Sequence, residues 1–490
     1  MKYLSAALIC DFYKLAHRSM YPEGMETVYS TWTPRASRVN GVTEVVAFGA
    51  QAGLMKLVAI FEENFFSRPK AEVIAEYARV IKFTLGDQNP ETRHLEDLHD
   101  LGYLPLSIKA LPEGTVVPIR VPMLTIQNTD KRFFWLTNYI ETFFSCELWQ
   151  TSTSATLARE YRKLLDKAAM ETVGNTEFVG FQGHDFSMRG MSSLESSIMS
   201  GMGHLLSFAG TDTVPAIQGA EYYYGANVEK ELVGTSIPAS EHSIQCAYGD
   251  DMVYLENMIS RVHPSGFVSI VSDGYDFWDV IGRVIPALKD KIMARKGGPL
   301  GDKVVIRPDS GDPVLIVCGD PEAPKGSLEH KGAVEALWDV FGGTTTEKGY
   351  KLLDSHIGLI YGDAITLRRA EEIVTRLKAK GFASINVVFG IGSYTYQYNT
   401  RDTFGFAMKS TLCVINGNEK QIFKDPKTDD GVKKSQKGRV VVLKDGKSFK
   451  FQDGFSLSDN IAGDQLVEMF RDGKFLVNHT LNEIRERMKS

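Results

Sequence analysis

The chain has 490 residues, of which 43% are hydrophobic and 24% charged, the balance of an ordinary globular protein with one large domain and a second domain packed on it. Its formal net charge of -6 argues against nonspecific binding to nucleic acid, which needs a basic surface. Five cysteines without CxxC spacing favour neither a zinc cluster nor a disulfide framework.

The first predicted segment, residues 1–30, begins with a short apolar stretch. "MKYLSAALIC" imitates a signal peptide, but no small-residue cleavage site follows and "DFYK" comes immediately after it, so we expect folded protein here. No uncharged apolar run approaches the roughly 18 residues that cross a bilayer. We therefore predict a cytoplasmic protein with neither a membrane nor a nucleic acid among its partners.

The two ends of the chain share a mixed pattern. Residues 31–150 and 400–490 combine short strand-like runs, such as "TVVPIRVPMLTIQ" and "GRVVVL", with helical segments. This mixture predicts an α+β domain assembled from both ends of the chain. Near the carboxyl terminus, "TLNE" at 480–483 has the spacing of a capping box that opens a terminal helix.

The central region, 151–399, alternates apolar strands with amphipathic helices. "GFVSIVSDGYDFWDVIGRV" predicts a strand ending near Ser272 and a helix from about Asp276, and "DKVVIRPDSGDP" predicts another strand with a polar turn. "HIGLIYGDAITLRRAEEIVTRLKAKG" predicts a strand at 357–361 and a helix that Gly381 closes. "SINVVFGIGS" supplies the next strand. The alternation predicts an α/β fold with parallel strands, whose ligands bind at the carboxyl ends of those strands.

Polar residues follow four of these strands in succession: Ser272 and Asp273, Arg307 and Asp309, Gly362 and Asp363, Gly392 and Ser393. Asp and Gly also make ordinary turns, but four such turns in series, one of them carrying an arginine, favour a functional site. Arg307 suits a phosphate, and Asp309 suits sugar hydroxyls or Mg²⁺. Gly390, Gly392 and Ser393 offer backbone N–H groups to a phosphate monoester. These turns together predict a sugar-phosphate pocket.

Three further motifs allow more than one interpretation. In "GHDFSMRG", Phe186 and Arg189 could converge on one ligand, or Phe186 is a core residue and Arg189 pairs with an acid. Asp212 in "GTDTV" could serve the site, cap a helix or form a turn. His242 in "SIPASEHS" could be catalytic, although a lone histidine is usually a surface residue or a satisfied core residue.

Ten motifs lie in order over nearly the whole chain: "DFYKLAH", "HDFSMRG", "GTDTV", "SIPASEHS", "VSDGYDFW", "IRPDSGDP", "YGD", "FGIGS", "TRD" and "FKDP". In this order and spacing they resemble the nicotinamide phosphoribosyltransferases, a family of type II phosphoribosyltransferases. The resemblance implies an irregular α/β barrel and a homodimer with active sites at the subunit interface, to which residues 1–30 contribute. It also implies that nicotinamide and 5-phosphoribosyl 1-pyrophosphate give nicotinamide mononucleotide and pyrophosphate, with Mg²⁺.

The resemblance further implies a role for each matching residue. Phe186 would stack on the pyridine ring from one side, Tyr13 of the other subunit would stack from the opposite side, and Asp212 would accept the amide N–H. Phosphate would be held by Arg189, Arg307, Gly392 and Ser393. The ribose would lie against Asp309 and Asp363, with Ser272 and Gly362 beside the substrate and Asp276 near the ribose and the metal. Arg401, Lys409 and Lys433 would reach in from the partner subunit.

In the family, the histidine that matches His242 is transiently phosphorylated by ATP, which couples ATP hydrolysis to the synthesis. The resemblance therefore implies that ATP is a coupling substrate, with Glu241 or a nearby carboxylate fixing the histidine tautomer. When pyrophosphate leaves the sugar, nearby carboxylates such as Asp309 would stabilise the oxocarbenium-like carbon. This chain departs from the family at four positions: Ile391 and Ser393 stand in place of glycines, Gly358 in place of an arginine, and Ala407 in place of a serine.

Two alternatives remain beside the nicotinamide interpretation. A nicotinate phosphoribosyltransferase would share the fold, but a carboxylate at Asp212 accepts an amide N–H and repels nicotinate, so the sequence favours nicotinamide. A non-catalytic nucleotide-binding scaffold would keep the glycine turns but could lose His242, Asp309 or Arg307. All three residues are present.

Overall fold

We analysed a computed structural model that describes residues 4–424 and 435–489. These residues fall into two compact units. The terminal unit consists of Met1–Thr156, Gly219–Ala226 and Asn399–Ser490, and the central unit consists of Leu157–Gln218 and Asn227–Tyr398. No helix among the described residues is both long enough and apolar enough to cross a bilayer.

The terminal unit is built on a seven-stranded antiparallel sheet. In spatial order its strands are Asn418–Gln421, Ala407–Ile415, Met25–Thr33, Leu124–Asn128, Leu106–Ala110, Val467–Arg471 and Lys474–Phe475. Two strand pairs accompany it, Glu44–Val46 with Val116–Pro118 and Arg439–Asp445 with Ser448–Phe455. The strands predicted from "TVVPIRVPMLTIQ" and "GRVVVL" are thereby confirmed.

Helices complete the terminal unit. They are His17–Met20, Ala50–Phe61, Lys70–Thr84, Arg93–Leu101, Leu136–Tyr139 and Leu481–Lys489, with shorter 3-10 or π segments at Ala6–Leu8, Phe12–Ala16, Glu62–Phe66, Lys131–Phe133 and Arg401–Thr403. The predicted capping box is confirmed, because the Thr480 N–H donates to Glu483 Oε2 at 2.8 Å and the Glu483 N–H donates to Thr480 Oγ1 at 3.3 Å. Two more helices, Glu141–Thr172 and Val214–Tyr224, contribute residues to both units.

The central unit is built on a six-stranded sheet in which every pairing is parallel. In spatial order its strands are Gly210–Thr211, Gly183–Asp185, Val387–Ile391, Ile357–Tyr361, Lys303–Arg307 and Phe267–Val271. The four longest are buried over most of their length, as expected for parallel strands with both faces covered. The predicted parallel α/β arrangement is thereby confirmed.

The segment 235–240, which runs from Thr235 into "SIPASEHS", bonds to both edges of this sheet. At one edge the Thr211 N–H donates to the Thr235 carbonyl at 2.9 Å. At the other edge the Ser269 N–H donates to the Pro238 carbonyl at 2.8 Å, and the Ser240 N–H donates to the Ser269 carbonyl at 3.0 Å. The six strands and this segment therefore form a continuous ring of backbone hydrogen bonds.

Short helices cover this sheet, as the alternating pattern predicts. They are Val179–Gln182, Leu194–Leu205, His242–Tyr248, Asp251–Asn257, Phe277–Asp279, Ile285–Ala287, Lys289–Met293, Pro313–Cys318, Leu328–Lys331, Ala333–Phe341, Leu367–Ala379 and Ser393–Tyr396. Shorter 3-10 or π segments are Met188–Gly190, Met258–Val262, Val280–Val284 and Ser384–Asn386, and a strand pair joins Gly343–Thr345 to Lys351–Leu353.

The helix Leu367–Ala379 shows how the sequence pattern sets these elements. Its buried residues are Ala370, Ile373, Val374 and Leu377, the apolar face expected from their spacing. Past its end, Gly381 has a φ of 79°, and the Phe382 N–H donates to the Leu377 carbonyl at 2.9 Å. This is a Schellman ending, so the predicted glycine closure is confirmed.

Candidate active site

A cavity of about 630 Å³ lies at the carboxyl ends of the parallel strands in the central unit. Nine residues predicted from the sequence line it: Phe186, Arg189, Asp212, Arg307, Asp309, Gly362, Asp363, Gly392 and Ser393. Parallel strands bring these residues to one edge of the sheet although they span more than two hundred positions of sequence. The polar turns in series therefore do converge on one pocket.

Phe186 is a half-buried residue of the cavity wall, directly after the strand Gly183–Asp185. Its N–H donates to the Ile391 carbonyl at 3.0 Å, which anchors the residue to the neighbouring strand. Two glycines make room for the ring: a Cβ at Gly362 would lie 3.2 Å from Phe186 Cε2, and a Cβ at Gly390 would lie 2.7 Å from the same atom. Glycines in the motifs "YGD" and "FGIGS" thus leave the space that the Phe186 ring occupies.

Asp212 faces the same cavity and accepts two hydrogen bonds on one oxygen. His184 Nε2 lies 2.9 Å from Asp212 Oδ1, and Ser236 Oγ donates to that oxygen at 2.7 Å. Burial opposes ionisation, but these hydrogen bonds and the charge of Arg307 outweigh it and lower the pKa of Asp212. The carboxylate is therefore a partly buried acceptor beside an aromatic ring. Its contacts are to side chains, so a helix-capping role is not what the structure shows.

Arg307 and Asp309 lie where the strand Lys303–Arg307 ends. Arg307 Nη2 donates to the Ser240 carbonyl at 2.7 Å, and its Nη1 lies 3.9 Å from Asp309 Oδ2. The turn beyond them is held by Tyr361, whose hydroxyl donates to the Ser310 carbonyl at 2.8 Å. Burial and the surrounding carboxylates raise the pKa of Tyr361, so it remains a donor. The guanidinium is fixed at one end and can meet an anion with the other.

His242 is joined to this turn through Asp273. His242 Nε2 lies 2.9 Å from Asp273 Oδ1, while Asp273 Oδ2 accepts the Asp309 N–H at 2.8 Å and the Ser310 hydroxyl at 2.6 Å. Burial opposes ionisation of Asp273, yet the bonds from Ser310, Asp309 and His242 hold its pKa below the usual value. Asp273, rather than Glu241, is thus the carboxylate that orients the imidazole.

The 188–190 turn, which lines the cavity, packs against Ser393. A Cβ at Gly190 would lie 2.6 Å from Ser393 Cβ, so only glycine permits this approach. Arg189 is exposed here and forms no ion pair with any residue that the structure describes. The alternative in which Arg189 pairs with an acid is therefore not supported, and its guanidinium is available to a ligand.

Two predicted site residues have structural tasks in this conformation. Ser272 is fully buried, and its hydroxyl donates to the Ile270 carbonyl at 2.8 Å instead of facing the cavity. Asp276 accepts the N–H groups of Trp278 at 2.9 Å and Asp279 at 3.1 Å, so its side chain caps the following helix. Neither residue lines the cavity described above.

The remaining predicted residues belong to the terminal unit or lie outside the described residues. Tyr13 is exposed, and Arg401 and Lys409 lie in the terminal unit with it. Burial lowers the pKa of Lys409. Lys433 lies outside the described residues. The participation of these four in a site stays a prediction.

The pocket offers carboxylates to a metal but no closed ligand set. Asp309 and Asp363 both line it. Among residues 4–424 and 435–489, no group of three or more His, Cys, Asp or Glu side chains is arranged to hold a metal ion. Mg²⁺ commonly binds to one or two carboxylates together with substrate phosphates, so these two residues fit a cation that arrives with its phosphate ligand.

A second, largely apolar cavity of about 570 Å³ shares Phe186 and Asp212 with the first and is also lined by His184. Gly358, one of the departures from the family pattern, lies in its wall, where a Cβ would lie 3.1 Å from Lys303 Cδ. Burial lowers the pKa of Lys303, against the opposing effect of Asp354. The Lys303 stem thus occupies the space beside Gly358.

Sequence reasoning missed two residues of the site, His184 and Ser236, and the role of a third, Asp273. His184 and Ser236 lie within quoted motifs, but only the folded strands bring them to Asp212. Asp273 was one of the strand-end residues, yet it had no role of its own. Its position two residues beyond the end of the buried strand Phe267–Val271 was the available signal.

The fold and the site define a class, an α/β protein whose parallel sheet presents an aromatic face, carboxylates and arginines to a nucleotide-like ligand. Comparisons with known proteins place the chain within that class. The profile of the "Nicotinate phosphoribosyltransferase (NAPRTase) family" matches residues 181–474. The chain is 50% identical to the nicotinamide phosphoribosyltransferase of Acinetobacter baylyi over 98% of this chain and 96% of that protein. It belongs to the nicotinate phosphoribosyltransferase (NAPRTase) family.

Two further similarities agree with this assignment. The nicotinamide phosphoribosyltransferase of Mycoplasma pneumoniae is 35% identical, over 87% of this chain and 93% of that protein. A crystal structure of nicotinate-nucleotide pyrophosphorylase from Pyrococcus furiosus aligns over 99% of this chain and 96% of that chain, with a TM-score of 0.59 and 16% identity. The latter likeness concerns the fold alone.

Proposed function

We propose that this chain transfers the 5-phosphoribosyl group of 5-phosphoribosyl 1-pyrophosphate to nicotinamide, giving nicotinamide mononucleotide and pyrophosphate. The observation that carries the proposal is one cavity in which the Phe186 ring and the Asp212 carboxylate lie with Arg307, Asp309 and Asp363. Relatives named nicotinamide phosphoribosyltransferase, at 50% and 35% identity over most of the chain, support it.

The base would bind between Phe186 and Asp212. The pyridine ring stacks on the half-buried phenyl ring, and the carboxamide N–H donates to the carboxylate. Nicotinate carries a carboxylate in place of the amide, so it has no proton to donate and is repelled by Asp212. A site with an ionised acceptor at this point therefore favours nicotinamide.

The phosphoribosyl donor would lie along the carboxyl edge of the sheet. Asp309 and Asp363 accept ribose hydroxyls, Arg189 and Arg307 meet phosphate oxygens, and the backbone at Gly392 and Ser393 receives the 5'-phosphate. Mg²⁺ would be held by the two carboxylates together with the pyrophosphate. When bound, it neutralises charge on the pyrophosphate leaving group.

The chemical step exchanges one bond at the sugar for another. The C1'–O bond to pyrophosphate breaks, the bonding electrons leave with the pyrophosphate oxygen, and the pyridine nitrogen lone pair forms the new C1'–N bond. Positive charge develops on the ribose ring in between, and the carboxylates of Asp309 and Asp363 stabilise it. The pyridine nitrogen carries no proton, so the chain needs no general base there.

His242 would couple ATP hydrolysis to this synthesis. Its Nε2 is engaged with Asp273, and the described residues provide no hydrogen bond to Nδ1, so Nδ1 is the nitrogen free to attack the γ-phosphorus of ATP. That attack forms an N–P bond and releases ADP. The Asp273 carboxylate balances the charge of the phosphorylated ring and connects it to Asp309.

The active form would be a homodimer, in which a second copy supplies Tyr13, Arg401, Lys409 and Lys433 to each site. The resemblance of "DFYKLAH" and "TRD" to the family supports this arrangement. The exposure of Tyr13 is compatible with it. The domain limits expected from the sequence, 31–150 with 400–490 and 151–399, likewise stay predictions.

The test is the rate of mononucleotide formation by the purified full chain with phosphoribosyl pyrophosphate and Mg²⁺. Nicotinamide and nicotinate are supplied separately, each with and without ATP. The variants are His242→Ala and, as a matched control, His356→Ala, whose imidazole also contacts an aspartate, Asp354, at 2.8 Å. We expect nicotinamide mononucleotide, with ATP stimulation in the wild type and in His356→Ala but not in His242→Ala.

Other results would contradict specific parts of the proposal. A preference for nicotinate would refute the assignment of Asp212 while leaving the fold assignment intact. Turnover that ATP stimulates equally in His242→Ala would refute the coupling role of His242. If neither base reacts, the cavity belongs to a non-catalytic nucleotide-binding scaffold.

A further inference from the structure

The two oxygens of Asp212 have unequal surroundings. Oδ1 accepts from His184 Nε2 at 2.9 Å and from the Ser236 hydroxyl at 2.7 Å, whereas no described residue donates to Oδ2. Asp212 is only partly buried, and it lines the cavity. Both protein donors thus hold one oxygen and leave the other to a ligand.

We infer that His184 and Ser236 are positioning residues that set the base preference of the site, by fixing Asp212 as an acceptor whose Oδ2 receives the carboxamide N–H. The inference rests on the proposed function and adds to it the residues that make Asp212 selective. Neither residue needs to touch the substrate for this role. Each acts through the carboxylate that does.

Packing fixes the His184 ring in the orientation this role needs. His184 lies on the strand Gly183–Asp185, between Gly390 and Gly210 on the two neighbouring strands. A Cβ at Gly210 would lie 2.7 Å from His184 Nδ1, so glycine is needed beside the imidazole. On another side the ring meets Phe186, with centroids 4.9 Å apart. Gly210 and Phe186 therefore bound the imidazole on two sides while its Nε2 meets Asp212.

Asp212 is held from its backbone as well. It directly follows the strand Gly210–Thr211, and its N–H donates to the Asp185 carbonyl at 2.9 Å. The donor thus lies on one strand, and the acceptor directly follows the neighbouring parallel strand. Ser236 comes from the segment 235–240, which bonds to the same edge of the sheet. Three neighbouring backbone segments fix one carboxylate.

This arrangement selects against nicotinate through both charge and geometry. Two donors to a carboxylate stabilise its ionised form, and Arg307 adds a favourable charge from the strand Lys303–Arg307. An ionised Asp212 accepts an amide N–H but cannot donate to a carboxylate. Loss of the His184 donor would let the side chain rotate and take up a proton more readily. It could then donate to nicotinate, so discrimination would fall.

The experiment compares His184→Leu, His184→Gln and Ser236→Ala with the wild type. Leucine removes the donor, whereas the glutamine amide can replace the Nε2–H. His356→Gln is the control, because it alters a histidine–aspartate pair of the same unit outside the cavity. For each protein, kcat and KM are measured for nicotinamide and nicotinate, and KM is measured for phosphoribosyl pyrophosphate. Thermal unfolding and circular dichroism confirm that each variant is folded.

We expect His184→Leu to raise the KM for nicotinamide about 10-fold, the scale of a lost charge-assisted hydrogen bond, and to lower the nicotinamide to nicotinate preference at least as much. The KM for phosphoribosyl pyrophosphate should remain within about twofold. His184→Gln should recover most of the preference. Ser236→Ala, a change at an exposed residue, should shift the preference in the same direction by about 3-fold. His356→Gln should behave as the wild type.

Three results would overturn the inference while the proposed function stands. The first is an unchanged base preference in folded His184→Leu or, where that variant does not fold, in Ser236→Ala. The second is a rise of the KM for nicotinamide and of the KM for phosphoribosyl pyrophosphate by similar factors. The third is an equal loss of the base preference in His184→Gln and His184→Leu, which would assign His184 a packing role only. A wild type that does not convert nicotinamide would instead refute the proposed function, and the inference with it.

Discussion

The packing of the Phe186 ring against Gly390 can be tested by adding one methyl group at position 390. In Gly390→Ala the new Cβ would lie 2.7 Å from Phe186 Cε2 and 2.8 Å from the Gly362 Cα atom. Ordinary carbon contacts are about 3.5 to 4 Å, so roughly 1 Å of movement is needed. The Gly362 contact is backbone, whereas the phenyl ring borders the open cavity. The ring is therefore the group that moves, and it moves into the space meant for the base.

The expected cost follows from the stacking that is lost. Stacking of a base on an aromatic side chain is worth about 1–3 kcal/mol, which corresponds to about a 5- to 150-fold change in affinity. We therefore expect Gly390→Ala to raise the KM for nicotinamide at least about 5-fold, with the KM for phosphoribosyl pyrophosphate little changed. Steady-state kinetics with each substrate varied in turn measures both constants.

A double-mutant cycle shows whether the effect passes through the ring. In a Phe186→Ala background the added methyl group has no ring to displace, so the loss that passes through the ring should disappear and only the effect of the Gly362 backbone contact should remain. Gly180→Ala is the matched control, because its new Cβ would have no heavy atom nearer than Arg162 Nη1 at 3.9 Å. Two results would refute this role of Gly390. One is a normal KM for nicotinamide in Gly390→Ala, and the other is an equal rise of that KM with and without the Phe186 ring.

Three further predictions concern coupling and stability. Asp273→Asn should lower the fraction of His242 phosphorylated by ATP at least about 10-fold, measured by intact-protein mass spectrometry, because the imidazole loses its anionic partner; unchanged phosphorylation would contradict this. Burial raises the pKa of Glu113 from 4.5 to about 7, so the stability contributed by its protonated form is present below about pH 4.5 and is lost as the pH rises through about 7. The difference in unfolding free energy between the wild type and Glu113→Gln should therefore fall by about 2–3 kcal/mol from pH 5 to pH 8 in urea titrations, and a flat difference would refute it. Gly381→Ala should lower the unfolding free energy by about 1–2 kcal/mol, because alanine is strained at a φ of 79° although space is open there; an unchanged urea midpoint would count against this.

The sequence was sufficient for the elements and for the edge of the sheet that carries the site. Strands such as Ile357–Tyr361 are short apolar runs bounded by turn residues, and the helix after it shows one apolar face closed by Gly381. Because parallel strands end at one edge, the polar residues that follow them could be placed together without knowing the strand order. Six of the eight strand-end residues line the cavity: Arg307, Asp309, Gly362, Asp363, Gly392 and Ser393.

The sequence was not sufficient for side-chain direction at the ends of strands. Ser272 and Asp273 are neighbours, and both were candidates by position. Successive residues leaving a strand point to opposite sides, so only one of the two can face the turn with Asp309. The Ser272 hydroxyl donates to the Ile270 carbonyl, whereas the Asp273 carboxylate contacts the His242 imidazole. Which residue faces the site depends on where the strand ends, and patterns place that boundary only approximately.

Long-range partners were equally beyond pattern reasoning. The pairing of His184 with Asp212 depends on the strands Gly183–Asp185 and Gly210–Thr211 being neighbours. Sheet order is not written in the spacing of apolar residues. The glycine at 390 was similarly predicted for a phosphate cradle, whereas the structure shows that it clears space for Phe186. Both findings follow from tertiary packing that a single sequence does not display.

The most direct test of the account is a competition between the two bases. The purified chain is given phosphoribosyl pyrophosphate, Mg²⁺ and equal concentrations of nicotinamide and nicotinate, and the mononucleotide products are identified and quantified by mass spectrometry. The account predicts that nicotinamide mononucleotide predominates, because Asp212 presents an ionised acceptor beside Phe186. Predominance of nicotinate mononucleotide, or no mononucleotide at all, would contradict it.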